Sequence, residues 1–468
     1  MNPLRPFKLA CVLLFLVSTP WFAQAAVPAK QVVTDSKPKM VISLDDAVRI
    51  GMKENRDLEI ARLDRDMAGQ KVRQSWSEVL PHVSSSFSYT RTLKPSVMFF
   101  PLGAFTGGDP NQFSAIRVSQ DNAYTGALNL NQTLFKLSAF AGIKAASLVK
   151  KISAESYRNV NAEVVTAIRK AYFDALIASE KLKLVDESIS RWEQSRKDTN
   201  ALFRQGVVAD LDTLKAYLSV ENLKPDLIRA RSNVSITTTN LKTVMGIDQN
   251  TELALSDALI FHEISSPFDV ASAYAEALEK RPDVQSLSLQ LDAEDEKVMA
   301  ARSEGLPTLA AFGQVEAQTQ FNDGKPLDKS RWPVSSTVGL QLSMPIFSGF
   351  GTSAKIEQSK ITRLQTRTRF EDLKAKVRAE VEIRLSNLAE ARQRIEVQSK
   401  TIKVAERSYS ITRLRLREGI GSLLELTDAE LQLNTAKTNY LQAVYDYLVA
   451  SVELEKSLGR IVPADRKS

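Results

Sequence analysis

The chain has 468 residues, with 62 Lys and Arg against 55 Asp and Glu, and its net charge of +7 is too small beside 25% charged residues to call for a nucleic-acid partner. The two histidines, His82 and His262, do not recur at ligand spacing. A metal cluster or histidine-based triad is therefore not expected, and no catalytic or cofactor-binding residue is assigned.

Residues 1–25 begin with Arg5 and Lys8, continue with the apolar run 9–17 and end in Ala23-Gln24-Ala25. That is the order of a cleaved signal peptide, so export is expected. The single cysteine, Cys11, lies inside this segment, and Lys8 puts a charge where a lipoprotein signal needs apolar residues. The mature chain then has no thiol, no disulfide and no lipid anchor, and its charge is 60 − 55 = +5. Beyond the signal no run approaches the roughly 18 apolar residues of a membrane helix. Any membrane contact falls to strands.

An extended segment, 26–43, leads into a unit that is written twice. Residues 44–84 and 270–310 superimpose at an offset of 226, with Leu44/Val270, Ala47/Ala273, Asp57/Asp283, Val72/Val298 and Leu80-Pro81/Leu306-Pro307 in register. The offset becomes 212 at Leu128/Leu340 and Phe135/Phe347, then 213 at Val164/Val377, Gly206/Gly419, Leu241/Leu454 and Gly246/Gly459. One ancestral unit was duplicated. The first copy, 44–247, is predicted to hold helices within 44–80, strands 82–93 and 121–134, and helices 136–205 and 209–245. After a linker, 248–267, the second copy, 268–460, holds helices within 268–304, strands 307–321 and 333–346, and helices 350–418 and 422–458. A tail, 461–468, follows.

The strands alternate with period two. Val83, Phe87 and Tyr89 stand against Ser84, Ser86, Ser88 and Thr90, and Tyr124, Gly126, Leu128 and Leu130 against Thr125, Asn129 and Asn131. The second copy repeats this with Leu309, Ala311, Gly313, Val315 and Ala317 against Gln314, Glu316, Gln318 and Gln320, and with Val334, Val338, Leu340, Leu342 and Met344 against Ser335, Thr337, Gln341 and Ser343. Strands of this length, apolar on one side and polar on the other, suit a membrane barrel with a wet lumen. Four strands cannot close one, so a barrel would have to be shared between copies of the chain. Between the first two strands, residues 94–121 carry Met98, Phe99, Phe100 and Phe105, an apolar load for a loop facing water. Either this loop folds inward as an outer constriction, or its aromatics sit in an interfacial girdle. The second loop, 322–332, is shorter and polar.

The long helices carry heptad seams. Ala175, Leu182, Ile189 and Phe203 accompany Ala178, Val185, Trp192 and Thr199 in the first copy, and Leu388, Ile395, Ile402, Tyr409 and Leu416 run unbroken in the second. The return helix repeats the step through Leu424, Leu431, Tyr445 and Val452. At 1.5 Å per residue each long helix reaches on the order of 100 Å. Pro225, paired with Thr438 in the other copy, predicts a kink or break within a turn of Glu221.

Leu44-Asp45-Asp46-Ala47, Arg281-Pro282-Asp283, the Leu-Pro before each first strand, Met344-Pro345-Ile346-Phe347-Ser348-Gly349 and the stretch from Arg417 to Leu426 occur in an order that resembles the TolC-like outer-membrane efflux proteins over essentially the whole mature length. The resemblance implies a mainly α fold with a membrane β-barrel. Three copies would share a 12-stranded barrel in outer-membrane lipid and a 12-helix periplasmic tunnel, with 248–267 as an equatorial linker. The first copy departs from the pattern at Gln132-Thr133-Leu134-Phe135-Lys136-Leu137, where the second has proline and glycine.

The function so implied is the exit duct of a tripartite efflux or type I secretion system. Its partners would be a periplasmic adaptor and an inner-membrane pump of the RND, ABC or MFS type. A soluble periplasmic adaptor should instead show one helical hairpin inside β-rich flanks, and a secreted degradative enzyme should place acids or histidines above a buried core. Gly206-Val207-Val208 and Gly419-Ile420-Gly421 are the expected adaptor-docking tips, although glycine there also serves simple turn chemistry. The resemblance places pore-gating acidic rings on Glu425 and Asp428, whose competing role is to favour a helix start. Family members often hold an arginine at the position of Gly421, so closed-state contacts fall to Arg204 or Arg417.

Overall fold

A computed structural model describes residues 39–101, 107, 113–261, 269–325, 327 and 330–461. The expected signal peptide, His262, Phe105 and the tail beyond residue 461 lie outside them.

The chain enters through β1 (Lys39–Ile42) and two short helices, α1 (Leu44–Glu54) and α2 (Arg56–Ser77). Ser43 caps α1 with a capping box: its hydroxyl accepts the Asp46 N–H at 3.2 Å, and the Asp46 carboxylate accepts from the Ser43 backbone. Asn55 ends α1 and caps α2, so the helical stretch within 44–80 breaks there. Next come β2 (His82–Arg91), a ribbon of β3 (Val97–Phe100) and β4 (Ser114–Arg117), and β5 (Asn122–Phe135). The long helix α3 (Leu137–Arg204) and the return helix α4 (Asp210–Met245) complete the first copy. The second runs through β6 (Glu252–Leu255), α5 (Val270–Lys280), α6 (Pro282–Ser303), β7 (Thr308–Phe321), β8 (Val334–Ser343), α7 (Gly351–Arg417) and α8 (Leu423–Ser457).

The duplication extends to packing. Ala47, Gly51, Val164, Ile168, Leu241 and Met245 are buried together in the first copy, and Ala273, Ala277, Val377, Val381, Leu454 and Leu458 occupy the matching positions in the second. Junction chemistry repeats as well. Asn55 Nδ2 donates to the Val244 carbonyl at 2.8 Å, and Arg281, its counterpart, donates to the Ser457 carbonyl at 3.2 Å. Gly246 and Gly459 end the return helices at φ +76° and +69°. A Cβ on Gly246 would lie 2.4 Å from the Glu54 carbonyl oxygen, and one on Gly459 2.7 Å from the Lys280 carbonyl carbon, so both positions require glycine.

Two features were not expected. β1 pairs in parallel with β6, Ile42 opposite Leu255, which ties the entry segment to the linker. The Asp257 carboxylate secures this belt by accepting the Leu44 N–H and the Tyr172 hydroxyl, each at 2.8 Å. Burial, and then Asp257, push the Tyr172 phenol well above its ordinary value. The second feature is the β3–β4 ribbon inside the first loop, with Phe99 opposite Ala115 and Phe100 opposite Ser114.

Two expectations are corrected. Of the kink or break expected at Pro225, the break is absent: α4 is helical without interruption from Asp210 to Met245. Proline removes a single bond, and it lies on an exposed side of the helix, where water can reach the stranded Glu221 carbonyl. The seam of α8 is displaced in its first half, whereas Val452 is buried and Tyr445 packs beside it as expected. Leu423, Leu426, Leu433 and Ala436 are the residues that bury against α3 and α7, while Leu424 and Leu431 stay exposed, as does Phe203 of α3. The α7 seam through Ile395, Tyr409 and Leu416 is buried as expected.

Candidate functional site

Four strands form one antiparallel sheet in the order β2-β5-β7-β8. Its register pairs Phe87 with Gly126, Gly126 with Ala317 and Ala317 with Val334. Alternation therefore stays in phase across all four strands. One face gathers Val83, Phe87, Tyr89, Leu128, Leu130, Val315, Val338, Leu340 and Leu342; the other gathers serines, threonines, asparagines and glutamines. The apolar face is bare: Val338 is 87% exposed and Leu342 71%. Among the described residues β2 and β8 each leave one edge unpaired.

At the loop end of this sheet Tyr124 stacks among Tyr89, Phe87, Phe321 and Trp332, with ring centroids 4.8 to 6.4 Å away. Beside it Arg91 grips Asp323 with both terminal nitrogens at 2.8 and 2.9 Å, and Asn122 Nδ2 donates to Asp323 at 3.0 Å. Asp121 accepts the Asp323 N–H at 3.2 Å and pairs with Arg117. This polar clasp joins the two loops, and the β3–β4 ribbon continues the β2–β5 ladder through Thr92 N–H to Asp121 O and Val118 N–H to Ser96 O. Phe99 lies on that ribbon with both ribbon faces largely exposed.

At the far end of the helices the two tips are built alike. Gly206 and Gly419 take φ +74° and +72°, and the N–H groups of Val207 and Ile420 each reach back to the carbonyls of Leu202 and Arg415 at 3.0 Å. These are the glycine-terminated Schellman reversals expected of such turns. The tips touch, since a Cβ on Gly419 would come 3.0 Å from Val207 Cγ1. Val207 and Ile420 are exposed, at 50% and 71%. A Cβ on Gly421 would lie 2.9 Å from the Leu416 nitrogen, so this turn has no room for an arginine there. Val208 lies half-buried, and Arg204 and Arg417 are exposed with no ion pair within the chain among the described residues.

Glu425 and Asp428 are both exposed on the first turns of α8. Ser422 caps the helix by accepting the Glu425 N–H at 3.2 Å, without the return bond from the Glu425 carboxylate that would complete a capping box. Among the described residues Asp428 is held only by Gln432 Nε2 at 2.7 Å. One turn further Glu430, which was not singled out in the sequence, is 3% exposed and accepts from Ser188, Arg191 and Asn434. The local signal for this acid is its place at the heptad step between the buried Leu426 and Leu433, and its partners Ser188 and Arg191 come from a distant helix.

The geometry has known counterparts. Residues 52–247 and 273–460 match the model of the outer membrane efflux protein family. Outer membrane protein TolC of Escherichia coli strain K12 is 22% identical over 419 residues, covering 88% of this chain and 81% of that one. The alkaline protease secretion protein AprF of Pseudomonas aeruginosa is 24% identical over 348 residues, 74% of this chain and 71% of its own. Among solved structures, the outer membrane channel CmeC of Campylobacter jejuni superimposes with a TM-score of 0.75 at 18% identity, over 91% of this chain and 87% of that one. With both copies of the unit matched end to end, the chain belongs to the outer membrane efflux proteins, and it is an outer-membrane exit duct.

Proposed function

We propose that three copies of this chain close a single 12-stranded barrel, the free edge of β8 in one pairing with the free edge of β2 in the next. The observation that carries this is the sheet itself: a bare apolar face in register over four strands, with both edges open. A soluble adaptor would have no use for such a face, and an isolated four-stranded sheet would expose it to water. The exposed Leu424 and Leu431 of α8, together with Val397, Val404 and Ile411 of α7, give the helices a second apolar stripe for neighbouring copies, which favours the same assembly.

Below the barrel the helices form the periplasmic tunnel. Its tips, Gly206 to Val208 and Gly419 to Gly421, receive a periplasmic adaptor through Val207 and Ile420, and an inner-membrane pump supplies the cargo. Glu425 and Asp428 become two rings of three carboxylates near the tunnel end and act as a cation-attracting gate. Arg204 and Arg417 are the bases available to hold that end closed. Conduction through such a duct needs positioning and no chemistry.

The absence of cysteine beyond Cys11 makes the assembly directly testable. Cysteines placed singly along β2 at Ser84, Ser86 or Ser88 and along β8 at Ser335 or Thr337, combined pairwise, should give a disulfide-linked trimer on oxidation of outer membranes. Pairs that yield only monomer in every combination would overturn the shared barrel.

A further inference from the structure

The polar face of the sheet is almost without charge. Reading across the register, it presents His82, Ser84, Ser86, Ser88 and Thr90 from β2, and Thr125, Asn129 and Asn131 from β5. β7 adds Gln314, Glu316, Gln318 and Gln320, and β8 adds Ser335, Thr337, Gln341 and Ser343. Among the described strand residues of this face, Glu316 is the one permanently charged side chain. It sits well inside the strand, opposite Ala127 on one side and Ser335 on the other. Its hydrogen-bond partner is the neutral Gln314 amide at 3.1 Å, and no Lys or Arg among the described residues pairs with it. At the rim, by contrast, Asp323 and Asp121 are neutralised by Arg91 and Arg117.

Resting on the three-copy barrel proposed above, we infer that Glu316 forms a second ion-selective ring, inside the barrel and separate from the tip, which favours cations over anions in the outer half of the duct. Twelve strands spaced about 4.8 Å and tilted about 40° close at a backbone radius of roughly 12 Å. A glutamate side chain reaching inward then puts its carboxylate roughly 7 Å from the axis and roughly 12 Å from its two symmetry mates. Those distances are comparable with the Debye length of about 10 Å at 0.1 M salt, so the ring acts on passing ions without binding any one of them tightly. Its influence is strongest in dilute salt, where screening extends to about 30 Å near 0.01 M, and fades near 1 M, where it falls to about 3 Å.

The test isolates the barrel from the tip. In a background of Glu425→Gln and Asp428→Asn, purified full-length protein is inserted in planar bilayers and the reversal potential is read across a potassium chloride gradient. Near 0.01 M salt the cation-to-anion permeability ratio should fall at least about threefold on Glu316→Gln, and near 1 M the two proteins should coincide. Glu316→Lys should push the ratio beyond the glutamine variant towards anions. Equal ratios in dilute salt for all three proteins, with channels of normal conductance, would overturn the ring while leaving the shared barrel standing. Failure of the parent protein to form channels at all would overturn both.

Discussion

Replacing Arg191 by Met should destabilise the protein by about 3 kcal/mol, because Glu430 would then stand buried without its cation. Glu430 is 3% exposed and Arg191 18%, and Ser188 and Asn434 complete the set of donors around the carboxylate. Thermal melting followed through the helical signal would register the loss, whereas Lys400→Met, which opens a largely exposed pair with Glu396, should leave the melt unmoved. Equal shifts in the two variants would mean that the Arg191 pair contributes no more than a surface contact. The core also shows how single atoms are traded between the copies. Gly51 leaves space that the Ile168 side chain fills, a Cβ there lying 2.3 Å from Ile168 Cδ1; the second copy has Ala277 and Val381 at these positions, so a methyl has moved from one partner to the other.

At the scale of the element, most of the strand layer was legible and part of the helix layer was not. A period of two leaves a strand only two faces, so alternation in Val83 to Tyr89 and in Val334 to Leu342 fixed which residues point together once pairing was known. Helices offer no such economy. Leu423, Leu424, Leu426 and Leu431 are alike in chemistry, and only packing decides that the first and third bury inside the chain while the others stay exposed. The four-residue strands β1 and β6 were too short for any period to show. The tips were legible because a left-handed φ selects glycine at Gly206 and Gly419. Changing Val207 and Ile420 together to Asp should abolish export by the assembled system, measured as cargo outside the cell, with trimers still recovered from the outer membrane. Normal export in that variant would reduce these residues to turn chemistry.

For the whole molecule, acid is the informative perturbation. Arg460, past the end of α8, holds both Glu276 oxygens at 2.8 Å, and with Lys280 it brings the Glu276 carboxyl down to about 2 from an ordinary 4.5. A carboxyl depressed in the folded state stabilises fully above its unfolded value and loses that contribution as pH falls from about 4.5 towards about 2. Glu276→Gln should therefore melt lower than the parent at neutral pH and show a flatter decline through this window. Parallel declines would show that the contact does not discriminate between protonation states. The topology has a further consequence, for the order in which the duct can be made. Each long helix and its return helix are neighbours along the chain, so α3 and α4 can zip together while the rest is still emerging. The central pairing of the sheet, by contrast, joins β5 of one copy to β7 of the other, and β1 waits for β6. Distant pairings of this kind close late because a long loop must be ordered first. Each helical hairpin can form before the sheet closes, and the apolar face has to be kept from water until its distant pairings are made.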